Sequence, residues 1–208
     1  MKNYLDSKII YRDGVLHSDA VPNISVMSAQ EEYIMEKSAD IICKNGGHIL
    51  NIGYGLGIID KYIAKHNISS HTIIEAHVDV YHEGLKTKPK NANMICARWE
   101  DAIYDLMANK MQFDGIYFDT INTEGHYNQW SAFARVVGLL LKPGGIFSYF
   151  NHTAVANEQY FESIMRSYGW QQCWSKLNYK DIEKHSPIKM DEKSLNVKDY
   201  SLTWFIKI

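Results

Sequence analysis

The 208-residue sequence predicts an α/β fold, a mostly parallel sheet flanked by helices. Three observations predict it. Short apolar runs alternate with amphipathic stretches at βα spacing between residues 48 and 150. Gly53, Gly55 and Gly57 sit where the first of those runs passes into a helical pattern. The run Leu139-Leu140-Leu141-Lys142-Pro143-Gly144-Gly145 then ends a helix ahead of a last core strand.

In order along the chain, Asp13-Gly14 between two short β-prone runs signals a hairpin. A leading helix follows from Met27, with Met27, Tyr33, Ile34, Ala39, Ile41 and Ile42 on one face and Gly46-Gly47 as its C-cap. Strands are expected at 48–52, 71–75, 93–97, 113–118 and 144–150, with helices near 57–65, 78–86, 99–108 and 127–140. After the core, 157–170 reads as a helix, 171–180 and 200–208 as late strands completing a seven-stranded sheet, and 180–199 as a polar loop. One domain is expected over 1–208, with a hairpin-and-helix flap in 1–46 and the core in 47–208.

Composition narrows the function. A formal charge of −2 and a pI near 6.5 provide no field that would gather nucleic acid or an anionic membrane surface. Cys43, Cys96 and Cys173 are odd in number and without CxxC spacing, which suits reduced, buried thiols in a cytoplasm. No apolar leader or spanning run is present in the sequence, so a cytoplasmic protein is expected. His66, His71, His77, His82, His126 and His152 lack metal-ligand spacing; they read as surface or strand-end residues, and no metal is expected.

The chemistry begins at the glycines. A strand, a glycine turn and a helix let a ligand approach main-chain N–H groups. The spacing is GxGxG and lacks the third-glycine offset of a dinucleotide site, so it suits a cofactor without a pyrophosphate, S-adenosylmethionine foremost. Glu75, 22 positions after Gly53 at the end of the second strand, is placed to accept hydrogen bonds from ribose hydroxyls, with Ala76 beside it. After the third strand, Trp99 suits an adenine ring, and Glu100 or Asp101 suits its amino group or a helix cap. Asp119 ends the fourth strand at the carboxyl edge and is the first catalytic candidate. Tyr149 and Asn151 follow the fifth strand and are expected at the mouth of the site, with residues 126–130 on the same rim.

The series GxGxG, strand-end Glu, acidic residue after the third strand, "FDGIYFD" and "LLKPGG" resembles class I S-adenosylmethionine-dependent methyltransferases, which have a Rossmann-like fold. More narrowly, "VMSAQEEYIMEKSADIIC", "ILNIGYGLGIID", "ARWEDAI", "FDGIYFDT" and "LLLKPGGIFSYFN" are similar to the guanidinoacetate N-methyltransferase family, and to fungal protein-arginine N-methyltransferases of the δ-nitrogen type. The likeness runs from Tyr4 to Thr153. It implies methyl transfer to a guanidino nitrogen. Asp119 falls on the family's guanidine-binding Asp, Glu31 on a substrate-binding Glu, and Met35 on a methionine close to the cofactor. Gln30 stands where the family has tryptophan, and Ser28 replaces a larger or acidic residue.

A guanidinium stays protonated at neutral pH and is a poor nucleophile, so carboxylates that fork onto its N–H groups and accept a proton suit the reaction. The expected acceptor is a small molecule such as arginine or guanidinoacetate; a protein arginine side chain, or a cofactor-binding module without turnover, are the alternatives. The remaining expected partner is a second copy of the chain in a homodimer.

Overall fold

The computed structural model describes residues 3–22, 25–121, 129–151, 155–189 and 199–208. Strands β1 (Ile9–Arg12), β2 (Val15–Ser18) and β3 (Ser25–Ser28) form a small antiparallel sheet. Asp13 and Gly14 join the first two with φ of 53° and 76°, the double left-handed turn that an Asp-Gly pair favours. A 3-10 turn, Ala29–Glu31, then leads into α1 (Glu32–Ile42).

The core follows as β4 (His48–Ile52), α2 (Ile58–Ile63), β5 (Ser70–Glu75), α3 (Val78–Thr87), β6 (Ala92–Cys96), α4 (Trp99–Ala108), β7 (Phe113–Phe118), α5 (Gln129–Leu140) and β8 (Leu141–Tyr149). The chain closes with α6 (Val155–Ser167), β9 (Gln171–Asn178), α7 (Tyr179–His185) and β10 (Asp199–Ile206). The large sheet has seven strands in the order β6-β5-β4-β7-β8-β10-β9, parallel through β8, with β10 and β9 antiparallel. Chain order reverses between β4 and β7, and an open α/β sheet leaves a crevice at the carboxyl ends of such a pair.

The pleat divides the apolar residues between two layers. Ile49, Ile73 and Tyr117 face α1, α2 and α3, whereas Leu50, Ile116, Phe118 and Phe147 face α4, α5 and α6. Every expected core strand is present within three residues of its predicted limits. Strand β8 starts earlier, because Lys142 Nζ lies 2.7 Å from Asp114 and the Gly144 N–H donates to the Lys207 carbonyl at 2.7 Å, anchoring the Lys-Pro-Gly-Gly turn to the sheet.

Four expectations need correction. Met27 belongs to β3, paired with Leu16, and not to the leading helix. Ser28 explains the boundary: its hydroxyl accepts the Gln30 N–H at 3.2 Å while Glu31 accepts the Ser28 N–H at 3.1 Å, a capping box that leaves residues 25–28 extended. Gly46-Gly47 lies beyond the helix cap, which is Cys43. The supposed loop after 180 contains α7, capped by Asn178 and held by one buried apolar residue, Ile182, and by the His185 ring stacked on Tyr33 at 4.4 Å. A single apolar anchor leaves too little periodicity to read. Of the cysteines only Cys43 is buried; Cys96 is exposed at the end of the edge strand β6. Among the described residues no helix is long and apolar enough to cross a membrane.

Candidate functional site

The crevice between β4 and β7 opens into a cleft lined by the tips of both strands, the glycine turn and the N-terminal segment. Its floor is the glycine turn. Gly53 has φ of 95°, and a Cβ there would collide with the carbonyl oxygen of Asp119; one on Gly55 would meet the Met27 sulfur at 2.5 Å. The strand tips beneath are tied together: the Gly53 N–H donates to Ile74 O at 2.8 Å and the Asp119 N–H to Ile52 O at 2.9 Å. Under the turn, buried Asn51 donates to Gly53 O at 2.9 Å and to Asp60, and Asp60 also meets His71 Nε2 at 3.0 Å. His71 is therefore part of the scaffold of the turn, and no surface residue.

Glu75 closes one end of the cleft. Its carboxylate accepts the N–H groups of Tyr54 at 2.9 Å, Gly55 at 3.4 Å and His77 at 2.7 Å. Burial still pushes its pKa above the ordinary value, against the pull of those N–H donors. One carboxylate thus orders the glycine turn and the start of α3 together. Ala76 and Gly55 line the cleft beside it. His77, buried like His71, reaches back to the Ser7 carbonyl at 3.1 Å and takes the edge of the Tyr4 ring at 5.1 Å, so it docks the N-terminal segment against this end.

Trp99 both lines the cleft and belongs to the core. Its indole N–H donates to Gln129 at 3.1 Å, and its ring meets Phe118 and Phe133 nearly edge-on. Glu100 lines the cleft while paired with Arg98 at 3.1 Å. Asp101 is exposed in the first turn of α4 and does not cap it, since Arg98 holds the cap position.

Asp119 lines the cleft at its centre, at the tip of β7. Burial, and next the negative charge of Glu75, push its pKa up to about 7. Glu31, carried by the turn before α1, does not line the cleft but lies close enough to Asp119 to feel its charge. Burial and then the charge of Asp119 raise the Glu31 carboxyl well above its ordinary range, opposed only by the Ser28 N–H. Two carboxylates that the sequence separates by 88 positions are thus close enough to repel each other.

Four expected site residues stand elsewhere. Met35 is fully buried in the core under α1 and does not line the cleft. Gly57 does not line it either; its left-handed φ of 67° makes room for the Tyr54 ring. Tyr149 points into the aromatic layer, 4.8 Å from the Phe161 ring, because the pleat turns it away from the carboxylates. Asn151 is buried behind the site, its N–H donating to the Tyr200 hydroxyl at 2.7 Å. Of the expected 126–130 rim, 126–128 lie outside the described residues, as does His152; Gln129 lines the cleft.

The sequence reading passed over Tyr4, Met27 and Tyr54, which also line it. For Met27 a signal was present: the Ser28–Glu31 capping pattern places residue 27 before the helix, on a strand that can face the glycines. Tyr4 carried none, because its place depends on the docking of the N-terminal segment.

A family model described as guanidinoacetate N-methyltransferase matches residues 6–173 of the chain. The chain belongs to the guanidinoacetate N-methyltransferase family. Within it are relatives named protein arginine N-methyltransferase 2: the one from Yarrowia lipolytica is 38% identical over 159 residues, 72% of this chain and 33% of its own length. The one from Saccharomyces cerevisiae is 35% identical over 158 residues, 71% of this chain and 37% of its own. The chain spans about a third of the length of the curated relatives it matches.

Solved structures agree on the fold. A spermidine synthase from Thermotoga maritima superimposes with a TM-score of 0.65 at 14% identity, covering 93% of this chain and 65% of that one. A SAM-dependent methyltransferase from Streptococcus mutans gives 0.62 at 11%, covering 96% and 55%. The fold is that of the Rossmann-like class I methyltransferases, and the cofactor is S-adenosylmethionine. The cleft fits that molecule on two counts: a glycine floor that any side chain would fill, and a buried carboxylate, Glu75, that closes one end and could meet a ribose.

Proposed function

We propose that the chain, acting as one domain over 1–208, transfers the sulfonium methyl of S-adenosylmethionine to a guanidino nitrogen of a small molecule such as arginine or guanidinoacetate. One observation supports this reading: Asp119 lines the cofactor cleft, and its charge raises the buried Glu31 carboxyl behind it. A planar cation that forks onto both carboxylates relieves their repulsion and satisfies paired hydrogen bonds at once.

Bound S-adenosylmethionine supplies an electrophilic methyl on a positively charged sulfur. Glu75 and the turn at Gly53 and Gly55 hold the cofactor, with Trp99, Glu100 and Ala76 along its nucleoside portion. Asp119 and Glu31 orient the acceptor nitrogen and draw electron density onto it. As the N–C bond forms and the bond from the methyl to sulfur breaks, leaving a neutral thioether, the nitrogen gives its proton to this carboxylate pair, with Asp119 as first acceptor. The segment around Tyr4 keeps bulk water out.

Replacing Glu75 with Ala is expected to weaken binding of S-adenosylhomocysteine by about 1–3 kcal/mol, the range for hydrogen bonds to a charged group. Isothermal calorimetry reads it, and an unchanged dissociation constant removes Glu75 from the site.

The name of the relatives, protein arginine N-methyltransferase 2, favours a second reading, in which the acceptor is an arginine side chain in a protein. A labelled-methyl assay separates the two. Arginine, guanidinoacetate, an arginine-containing peptide, a primary amine and a phenol are offered in parallel. Label on the free guanidino compounds is expected. Label on the peptide alone moves the activity to protein substrates, and label confined to the amine or phenol rejects guanidino transfer.

A further inference from the structure

Three elements converge on one side chain beside Trp99. Gln129 is the first residue of α5, and its Oε1 accepts two hydrogen bonds, one from the Trp99 indole N–H of α4 at 3.1 Å and one from the Thr120 hydroxyl just past β7 at 2.7 Å. Its Nε2 donates to the Ile121 carbonyl at 3.0 Å. All four residues line the cleft. The partners dictate which way the amide faces: an indole nitrogen only donates and a carbonyl only accepts, so Oε1 must meet Trp99 and Nε2 must meet Ile121. Two donors then use both lone pairs of Oε1. Glutamate in the same place would keep the acceptor and lose the donor, and leucine would fill the space with neither.

These bonds bracket Asp119. On its β4 side the Asp119 N–H donates to Ile52 O at 2.9 Å, and a Cβ on Gly53 would collide with the Asp119 carbonyl oxygen. On its other side the next two residues, Thr120 and Ile121, are held by Gln129 and through it by Trp99. Trp99 is itself fixed, with its ring edge-on to Phe118 at 5.7 Å and to Phe133 at 5.4 Å. Where a strand leaves its sheet it loses its ladder partners, so side-chain bonds of this kind decide where the chain goes next.

We propose that Gln129 is a positioning residue for methyl transfer, locking residues 119–121 to the Trp99 wall so that the nucleoside end of the cleft and the strand tip carrying Asp119 keep one fixed spacing. The inference rests on the placement of the cofactor's nucleoside along Trp99 proposed above, and is independent of which acceptor is methylated. Gln129 acts through Trp99 and Thr120, so a change on one arm of the amide must be felt on the other.

The test uses the full chain with nitrogen-labelled tryptophan, S-adenosylhomocysteine as the probe, and a temperature at which every variant is folded. Thr120→Val removes the hydroxyl on the strand side and is read at the indole on the helix side: exchange of the Trp99 indole N–H with solvent should quicken about threefold, and in Gln129→Leu about tenfold. By calorimetry, S-adenosylhomocysteine should bind about tenfold more weakly to Gln129→Leu and about threefold more weakly to Thr120→Val. The double variant should be no weaker than Gln129→Leu alone, because both changes act through one amide. Losses that multiply to about thirtyfold would mean two independent packing defects and overturn the proposal. So would an unchanged affinity in Gln129→Leu, or a Trp99 indole indifferent to Thr120→Val. Should Gln129→Leu not fold, the indole exchange in Thr120→Val decides alone. A parent protein whose Trp99 indole signal does not move on binding S-adenosylhomocysteine loses the nucleoside placement and this inference with it, whereas a signal that moves with ligand but ignores Thr120→Val rejects the inference and keeps the placement.

Discussion

Asp119→Asn should lose about 10²- to 10⁴-fold in turnover, the usual contribution of a positioned proton acceptor, while the protein keeps its fold. The amide has the shape of the carboxylate without its charge, so it can neither pair with a guanidinium nor take its proton. The same substitution has a signature in stability. With a folded-state pKa of about 7 against an ordinary 3.8, Asp119 holds a proton in the native protein over a pH range where the unfolded chain has released it. Stability from this group therefore falls as pH rises through that window, and it is lowest above pH 7. Asp119→Asn removes the penalty, and its melting temperature at about pH 8 should exceed that of the parent. Activity follows the opposite course. In the parent, kcat/KM should decline as pH drops below about 7, when the pair takes up a proton. A labelled-methyl assay alongside thermal melts across roughly pH 5–9 reads both trends; undiminished turnover in the Asn variant would remove Asp119 from the chemistry.

Gly53→Ala should abolish measurable binding of S-adenosylhomocysteine and destabilise the protein. The backbone there has φ of 95°, which costs a residue bearing a Cβ about 1–3 kcal/mol, and the added carbon would also run into the Asp119 carbonyl. Relief of that collision moves the tip of β7 away from β4, and with it the carboxylate on which the proposed chemistry depends. Gly144→Ala is the control. Gly144 has a similar positive φ of 75°, but a methyl group added there would meet nothing within 4 Å, so only the conformational cost applies and cofactor binding should survive. Urea unfolding and calorimetry on the two variants check the contrast. Equal effects at both positions would mean that backbone strain alone is at work and that the Gly53 cradle has no special part in the site.

The parallel core was legible because its signals are local. Each strand from β4 to β7 is a short apolar run closed by a glycine, an acidic residue or a helix cap, and each reads without knowledge of its neighbours. Glu75 and Asp119 were found for the same reason: a carboxylate that ends a buried strand of an open α/β sheet is carried to the carboxyl edge whatever lies on either side. Tyr149 reads just as plainly as a strand-end residue, yet it faces the aromatic layer. The expected position was right and the face was wrong, since one residue of pleat reverses a side chain. Met35 likewise sits one turn beyond Glu31 on α1 but is packed into the core, where depth along the helix stripe, not sequence spacing, separates a site residue from a core residue.

By itself, then, the sequence determined the βα rhythm, the glycine turn and the hairpin at Asp13-Gly14, all of them consequences of backbone preferences and hydrogen bonds spanning a few residues. The tertiary structure alone decided that the charge of Asp119 reaches Glu31 and that Tyr4 and Met27 line the cleft. Those encounters join parts of the chain tens of residues apart. They depend on how α1 and the small sheet dock against the strand tips, which is a matter of packing that no local pattern encodes.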